Sequence, residues 1–103
     1  MRLLAMATIV AMLAYASVQA ATPNEVVIKD FMFVPTTLTV KAGTTVVWAN
    51  KDEEPHTVFS DTGVFRSGAI DTGEKFSFKF EQPGTYHFLC TIHPRMVGTV
   101  IVE

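Results

Sequence analysis

The chain has 103 residues, 17% of them charged, with a formal net charge of −2 and a single cysteine. This length suits one domain rather than two. The mild acidity argues against nucleic-acid binding, and one cysteine excludes an internal disulfide. The fold must therefore be stabilised by other means.

Residues 1–20 have the pattern of a secretory signal peptide. Arg2 supplies a positive charge, residues 3–16 form an almost uninterrupted apolar run, and Ala20 ends a short cleavage motif. The apolar run is shorter than the roughly 17–25 residues of a membrane-spanning helix, so a retained membrane span is the minor alternative. We expect cleavage after Ala20 and a soluble periplasmic protein of residues 21–103, with a net charge of −3 and no membrane span.

The sequence after this segment is typical of an all-β protein. It is rich in Val, Thr and Phe, is interrupted often by Gly, Pro and Asp, and has no sustained helical periodicity. Strands are predicted at residues 25–30, 37–41, 45–50, 56–60, 75–80, 85–90 and 97–102. Pro35 should bend the apolar stretch 31–35 or place it at a sheet edge, and residues 61–74 are predicted to be irregular with room for one short strand. About seven or eight short strands favour a Greek-key β-sandwich.

Three of the predicted strands have large side chains on alternate residues, which places them on one face of the strand. We expect these faces to be buried in the core. They are Val46, Trp48 and Asn50; Phe76, Phe78 and Phe80; and Tyr86, Phe88 and Cys90. The third set directs the sulfur of Cys90 into one end of the sandwich.

The segment Cys-Thr-Ile-His-Pro-Arg-Met places Cys90, His93 and Met96 at intervals of three residues. Two intervening residues each time allow one tight loop to bring all three side chains to a single ion. His56 follows Pro55 and begins an extended segment, so a neighbouring strand could bring it to the same end. The sequence therefore predicts a metal site formed by His56, Cys90, His93 and Met96.

The types of ligand indicate copper. A His₂Cys plane with a weak axial methionine is the ligand set of blue-copper sites, in which sulfur suits Cu(I) and imidazole suits Cu(II). Structural zinc sites usually have four Cys or His ligands, and a thioether is a poor zinc ligand. His87 should lie on the face opposite Cys90 and not bind the ion, and Met32 is assigned to the core. We expect one copper ion that cycles between Cu(II) and Cu(I).

Three alternatives compete with an electron carrier. A lone buried cysteine can be purely structural, but His93 and Met96 beside Cys90 favour a metal ligand. A nucleophilic pair of Cys90 with His56 or His93 would lack a group that orients the base, so we expect no enzyme. A copper storage or delivery protein would share the same ligands and remains open. The acidic run Asp52–Glu54 is interpreted as a solvated loop.

These motifs together resemble the cupredoxin family of small blue copper proteins. The short Cys-x-x-His-x-x-Met loop is most similar to that of the amicyanins within this family. The resemblance covers nearly all of residues 21–103, through Val46-Val47-Trp48-Ala49-Asn50, Pro55-His56, Gly84-Thr85-Tyr86, the loop from Cys90 to Met96, and Gly98 to Glu103.

The resemblance implies a plastocyanin-like sandwich with copper at one end, where His56 and Cys90 are shielded and His93 lies nearer solvent as the exit for electrons. It also implies redox protein partners that dock near His93, such as an amine dehydrogenase or a c-type cytochrome, and we expect a monomer. Many relatives have Asn after the first histidine to brace the cysteine loop, whereas this chain has the shorter Thr57. The candidates for an apolar collar around His93 are Pro55, Phe65, Ile92 and Pro94, with the alternative that Phe65 or Ile92 fills the core instead.

Overall fold

The computed structural model describes residues 24–103. The signal peptide predicted at residues 1–20 lies outside the described residues, so it and the cleavage after Ala20 stay predictions. The described part of the chain includes no helix long and apolar enough to cross a membrane. Its eight strands are β1 (Glu25–Lys29), β2 (Met32–Val34), β3 (Thr37–Val40), β4 (Thr44–Asn50), β5 (Phe59–Ser60), β6 (Lys75–Phe80), β7 (Gly84–Leu89) and β8 (Val97–Val102).

The strands form two four-stranded sheets, with the orders β2-β1-β4-β6 and β3-β8-β7-β5. The chain passes from one sheet to the other four times between β3 and β7, and it brings β1 parallel to β4 and β3 parallel to β8. The remaining pairs are antiparallel. The predicted all-β sandwich is confirmed, and β2, which precedes Pro35, lies at a sheet edge as expected.

The segment after the first histidine is less regular than predicted. The strand expected at residues 56–60 is reduced to β5, because His56 pairs with Ile70 of the loop instead of with a strand. A second isolated bridge joins Phe59 to Arg66. Residues 61–74 are irregular, as predicted, and they fold back along residues 56–60 through these two bridges.

The core is built around Trp48, which is fully buried. Its ring centroid lies 5.4–6.3 Å from those of four phenylalanines, Phe65, Phe76, Phe80 and Phe88. Of the two alternatives for Phe65, the structure therefore supports the core and not the collar. The backbone N–H of Ser60 donates to the carbonyl of Phe65, which turns the loop so that this ring enters the sandwich.

Gly98 allows the core to pack closely beneath the end of β7. It pairs with Phe88 across β7 and β8, and a Cβ atom at Gly98 would lie 2.7 Å from Cε1 of Phe88. The absent side chain thus leaves room for the Phe88 ring against the backbone of β8. Phe88 and Cys90 share the inward face of this segment. The Phe88 ring packed against β8 therefore supports the backbone that carries the cysteine.

Candidate metal centre

The loop that follows β7 is closed by two backbone hydrogen bonds. The N–H of Cys90 donates to the carbonyl of Met96 over 3.1 Å, and the N–H of Met96 donates to the carbonyl of His93 over 2.9 Å. Both Cys90 and Met96 are buried. The structure therefore holds the three predicted residues of this segment in one compact loop between β7 and β8.

Two imidazoles converge on the buried sulfur. Nδ1 of His56 lies 3.8 Å from Sγ of Cys90, and Nδ1 of His93 lies 3.9 Å from the same atom. The three ligand atoms all lie within 4.8 Å of one another. Burial differs between the two rings, since His56 is fully buried and His93 only half-buried. The pattern is the one that the resemblance implied, with His93 facing solvent.

The spacing of these atoms fits a bound metal ion. Metal–nitrogen and metal–sulfur bonds of about 2.1 and about 2.3 Å, the lengths found in zinc sites, at a trigonal angle of about 120° would separate nitrogen from sulfur by about 3.8 Å. The observed distances from Sγ of Cys90 to the two Nδ1 atoms are 3.8 and 3.9 Å. With Met96 closing the loop, the residues present form a donor set typical of type 1 copper.

The environment of Cys90 favours its thiolate. Burial raises the pKa of the thiol, but hydrogen bonds to the sulfur, the largest from the backbone N–H of Thr57, outweigh it and lower the pKa to about 6. Thiolate is the form of cysteine that binds metals. The site is thus prepared for a cation at neutral pH.

This lowered pKa predicts a pH-dependent stability of the metal-free protein. The ordinary thiol pKa is 9.0 and the folded value is about 6, so the stabilisation is complete above pH 9 and is lost as the pH falls to about 6. We expect the free energy of unfolding, measured with guanidinium in the presence of a chelator, to decrease over this range. A Cys90→Ala variant should lack this contribution. If the free energy of unfolding changed equally with pH in the two proteins, the lowered pKa of Cys90 would be contradicted.

Thr57 braces the cysteine loop despite its short side chain. Its Oγ1 accepts a hydrogen bond from the backbone N–H of Thr91 over 2.7 Å and lies 2.8 Å from the hydroxyl of Thr91. The N–H of Thr57 also donates to Sγ of Cys90 over 3.4 Å. Thr57 therefore connects to the cysteine loop through Thr91, which is the bracing role that the family resemblance assigns to an asparagine at this position.

Asp52 belongs to the site, although it was predicted to lie in a solvated acidic loop. Its side chain is only 10% exposed, and Oδ2 lies 2.8 Å from Nε2 of His56. The side chain of Asn50 accepts the N–H of Asp52 over 2.8 Å and donates to the carbonyl of Glu54 over 2.9 Å, which turns Asp52 inward. An Asn two residues before the Asp is a typical turn signal that could have indicated this.

Burial raises the pKa of Asp52, but hydrogen bonds from the backbone N–H of Phe31, from His56 and from the N–H of Asp30 hold it below its usual value. Asp52 is therefore a carboxylate at neutral pH. Its contact with Nε2 of His56 favours the tautomer that leaves Nδ1 unprotonated and facing the sulfur. Carboxylates that orient metal-binding imidazoles in this way are common at metal sites.

Near the β1–β2 turn, Phe31 was given no role from the sequence, and Met32 was predicted wrongly. The exposed ring of Phe31 lies edge-on to both imidazoles, with centroids 5.3 Å from His56 and 4.9 Å from His93. Met32 was assigned to the core, but it is 55% exposed because the register of the hairpin turns Phe33 inward instead. Periodicity could not reveal either feature, since both depend on the conformation of a two-residue turn.

The remaining sequence assignments concern the surface. His87 is exposed, and its Nδ1 pairs with the hydroxyl of Thr99 at 3.0 Å, away from the three clustered ligand atoms. Of the collar residues, Pro55, Ile92 and Pro94 are exposed as expected. The other large apolar side chains exposed among residues 24–103 are Phe31, Met32, Val34, Val64 and Val97.

Comparison with known proteins agrees with this geometry. Residues 2–102 match the family model of the cupredoxin-like domain. Amicyanin-alpha of Methylorubrum extorquens is 35% identical over 85 residues, which cover 78% of this chain and 71% of the relative. Plastocyanin of Scenedesmus fuscus is also 35% identical, over 70% of this chain and 87% of the relative. The chain spans only 61% and 54% of the amicyanins of Paracoccus versutus and Paracoccus denitrificans.

Solved structures show the same likeness. A purple cupredoxin from Nitrosopumilus maritimus superposes with a TM-score of 0.72 at 32% identity, covering 77% of this chain and 98% of that one. A Cu(I) form of an amicyanin variant gives a TM-score of 0.74 at 32% identity, covering 82% and 87%. Family, fold and donor set agree: the chain belongs to the cupredoxin family, and its cofactor is one type 1 copper ion.

Proposed function

We propose that this protein is a blue copper electron carrier in which His56, Cys90, His93 and Met96 hold the ion. The observation that carries the proposal is the convergence of two Nδ1 atoms on one buried sulfur, at 3.8 and 3.9 Å. A copper ion bound there supplies a one-electron couple. The protein supplies a fixed set of donors that suits both oxidation states.

The role of the surrounding residues is to keep those donors in place. The N–H of Thr57 and the carbonyl of Met96 restrain Cys90 from two sides, through its sulfur and its backbone N–H. Asp52 restrains the ring of His56 through Nε2. Both His56 and Cys90 are fully buried, so little can move when an electron arrives. The reorganisation energy of each electron transfer is therefore low.

Electrons would enter and leave through His93, which is only half-buried and adjoins the exposed Ile92 and Pro94. An apolar surface of this kind suits small interfaces that form and dissociate quickly. The exposed carboxylates of Glu53 and Glu54 lie next to Pro55 and favour partners with basic groups around their own docking surface.

By analogy with the amicyanins, we place the protein in the periplasm as residues 21–103 and expect it to act as a monomer. An amine dehydrogenase or a c-type cytochrome is the proposed type of partner. No catalytic step is assigned, because full burial of Cys90 leaves its sulfur out of reach of a substrate. The acidic net charge argues against a nucleic-acid partner.

A copper storage or delivery protein is the alternative, and one experiment separates the two functions. Purified metal-free protein is loaded with one equivalent of Cu(II) and cycled with a mild reductant and oxidant while absorbance and bound copper are followed. An electron carrier should turn blue, bleach on reduction and recover its colour while retaining the metal. Loss of copper to a metal-free acceptor protein during the cycle would support delivery instead.

A further inference from the structure

The turn between β1 and β2 has an unusual backbone. Asp30 and Phe31 are its two central residues, and both have positive φ angles, 53° and 59°. Two-residue hairpins of this type usually contain Asn-Gly or a similar pair. A bulky residue such as Phe in the left-handed region is rare, and such strain persists only where the surrounding structure enforces it.

The carboxylate of Asp52 enforces this conformation. It accepts the N–H of Asp30 over 3.1 Å and the N–H of Phe31 over 3.0 Å, so two successive backbone donors point at one anion. Paired donors of this kind form a natural anion-binding concavity. The same carboxylate lies 2.8 Å from Nε2 of His56, so one buried group joins the strained turn to the metal centre.

The turn determines where the Phe31 ring lies. The ring meets His56 and His93 edge-on, at interplanar angles of 85° and 82°. It is 45% exposed, so one side contacts the imidazoles while the other faces solvent. The ring therefore covers a side of the centre that a smaller side chain would leave open to water.

We propose that Asp52 and Phe31 act together as positioning residues for the copper centre: Asp52 fixes the proton on Nε2 of His56 and holds the Phe31 ring over both imidazoles. The inference rests on the proposed copper function. Its consequence is that Asp52 sets copper affinity, through the tautomer of His56, and that Phe31 slows the release of copper to the solvent.

A carboxylate is required because three N–H donors meet it. An amide at position 52 has one oxygen, and its NH₂ group would face at least one of those donors. We expect Asp52→Asn to lower copper affinity by about 10–100-fold, the usual effect of losing such a group. Glu53→Gln is the matched control, since it removes the same charge from an exposed position in the same loop. Equal affinities of Asp52→Asn and Glu53→Gln would overturn the proposal.

The Phe31→Gly variant tests separately whether the Phe31 ring slows the release of copper. Glycine adopts positive φ without strain, so the turn should be kept and the metal-free fold should be no less stable. We expect the rate of copper loss to excess chelator to rise about tenfold, an effect of the size seen when groups around a metal site are removed. Because Asp52 acts partly through Phe31, the two substitutions combined should increase the rate by less than the product of their separate effects. An unchanged rate in Phe31→Gly, or full additivity, would contradict the proposal.

A measurement on the metal-free protein separates this proposal from the copper function itself. In NMR spectra the Nε2–H of His56 should exchange slowly with solvent in the wild type and rapidly in Asp52→Asn, while Glu53→Gln should match the wild type. Rapid exchange in all three proteins would refute the positioning role even if the wild type binds copper. Conversely, a wild type that binds no copper but shows slow exchange would refute the electron carrier and leave the Asp52–His56 link intact.

Discussion

Replacement of Cys90 by serine is expected to abolish the blue colour of the copper-loaded protein. The colour of a type 1 site depends on a thiolate bound to Cu(II), and Cys90 is the chain's only cysteine. A serine hydroxyl is nearly the same shape, so the N–H of Thr57 that donates to the sulfur could still donate to the hydroxyl oxygen. The loss should therefore be chemical and not a failure to fold.

The visible absorption spectrum after addition of one equivalent of Cu(II) checks this result, with circular dichroism to verify that the sandwich is intact. His87→Ala is the matched control, because His87 is an exposed histidine of β7, three residues before Cys90. It should retain the full blue band. A blue band that survived in Cys90→Ser would refute the whole site assignment.

Replacement of Trp48 by alanine is expected to lower the free energy of unfolding by about 3–5 kcal/mol, the usual cost of removing a large buried aromatic side chain. Trp48 contacts four phenylalanine rings and is fully buried. For a domain of this size the loss is a large share of a total stability of about 5–15 kcal/mol. Guanidinium unfolding of the metal-free protein measures it.

Trp48→Phe is the control for this substitution. The indole Nε1–H of Trp48 has no hydrogen-bond partner among residues 24–103, so phenylalanine removes no hydrogen bond and keeps most of the apolar contacts. We expect it to cost much less than alanine and to leave the blue colour unchanged. If Trp48→Ala lost less than about 1 kcal/mol, well below the usual range, Trp48 could not be the centre of the core.

The local parts of the site could be predicted from the sequence. The spacing of Cys90, His93 and Met96 encodes a single loop, and alternation along residues 85–90 places the cysteine on the buried face. His56 was predicted from its position after Pro55 at the start of an extended segment, combined with the three ligands downstream. The eight observed strands agree with the predicted sandwich of seven or eight, although β5 is shorter than the strand predicted at residues 56–60.

The parts that could not be predicted depend on how irregular backbone folds back on the strands. Phe65 enters the core because a loop turns at Ser60, and Met32 faces solvent because a two-residue hairpin sets its register. Asp52 resembles any loop carboxylate until the side chain of Asn50 turns it inward. Alternation describes residues in strands, and these residues are positioned by turns.

The X-ray absorption spectrum of the copper-loaded protein, recorded in both oxidation states, tests the assignment of His56, Cys90, His93 and Met96 most directly. The account predicts one short copper–sulfur bond and two copper–nitrogen bonds with almost unchanged lengths in Cu(II) and Cu(I). The copper–sulfur bond should be absent in Cys90→Ser. A shell of nitrogen and oxygen ligands without the short copper–sulfur bond, or a large change in the copper–ligand distances on reduction, would contradict this assignment of the ligands.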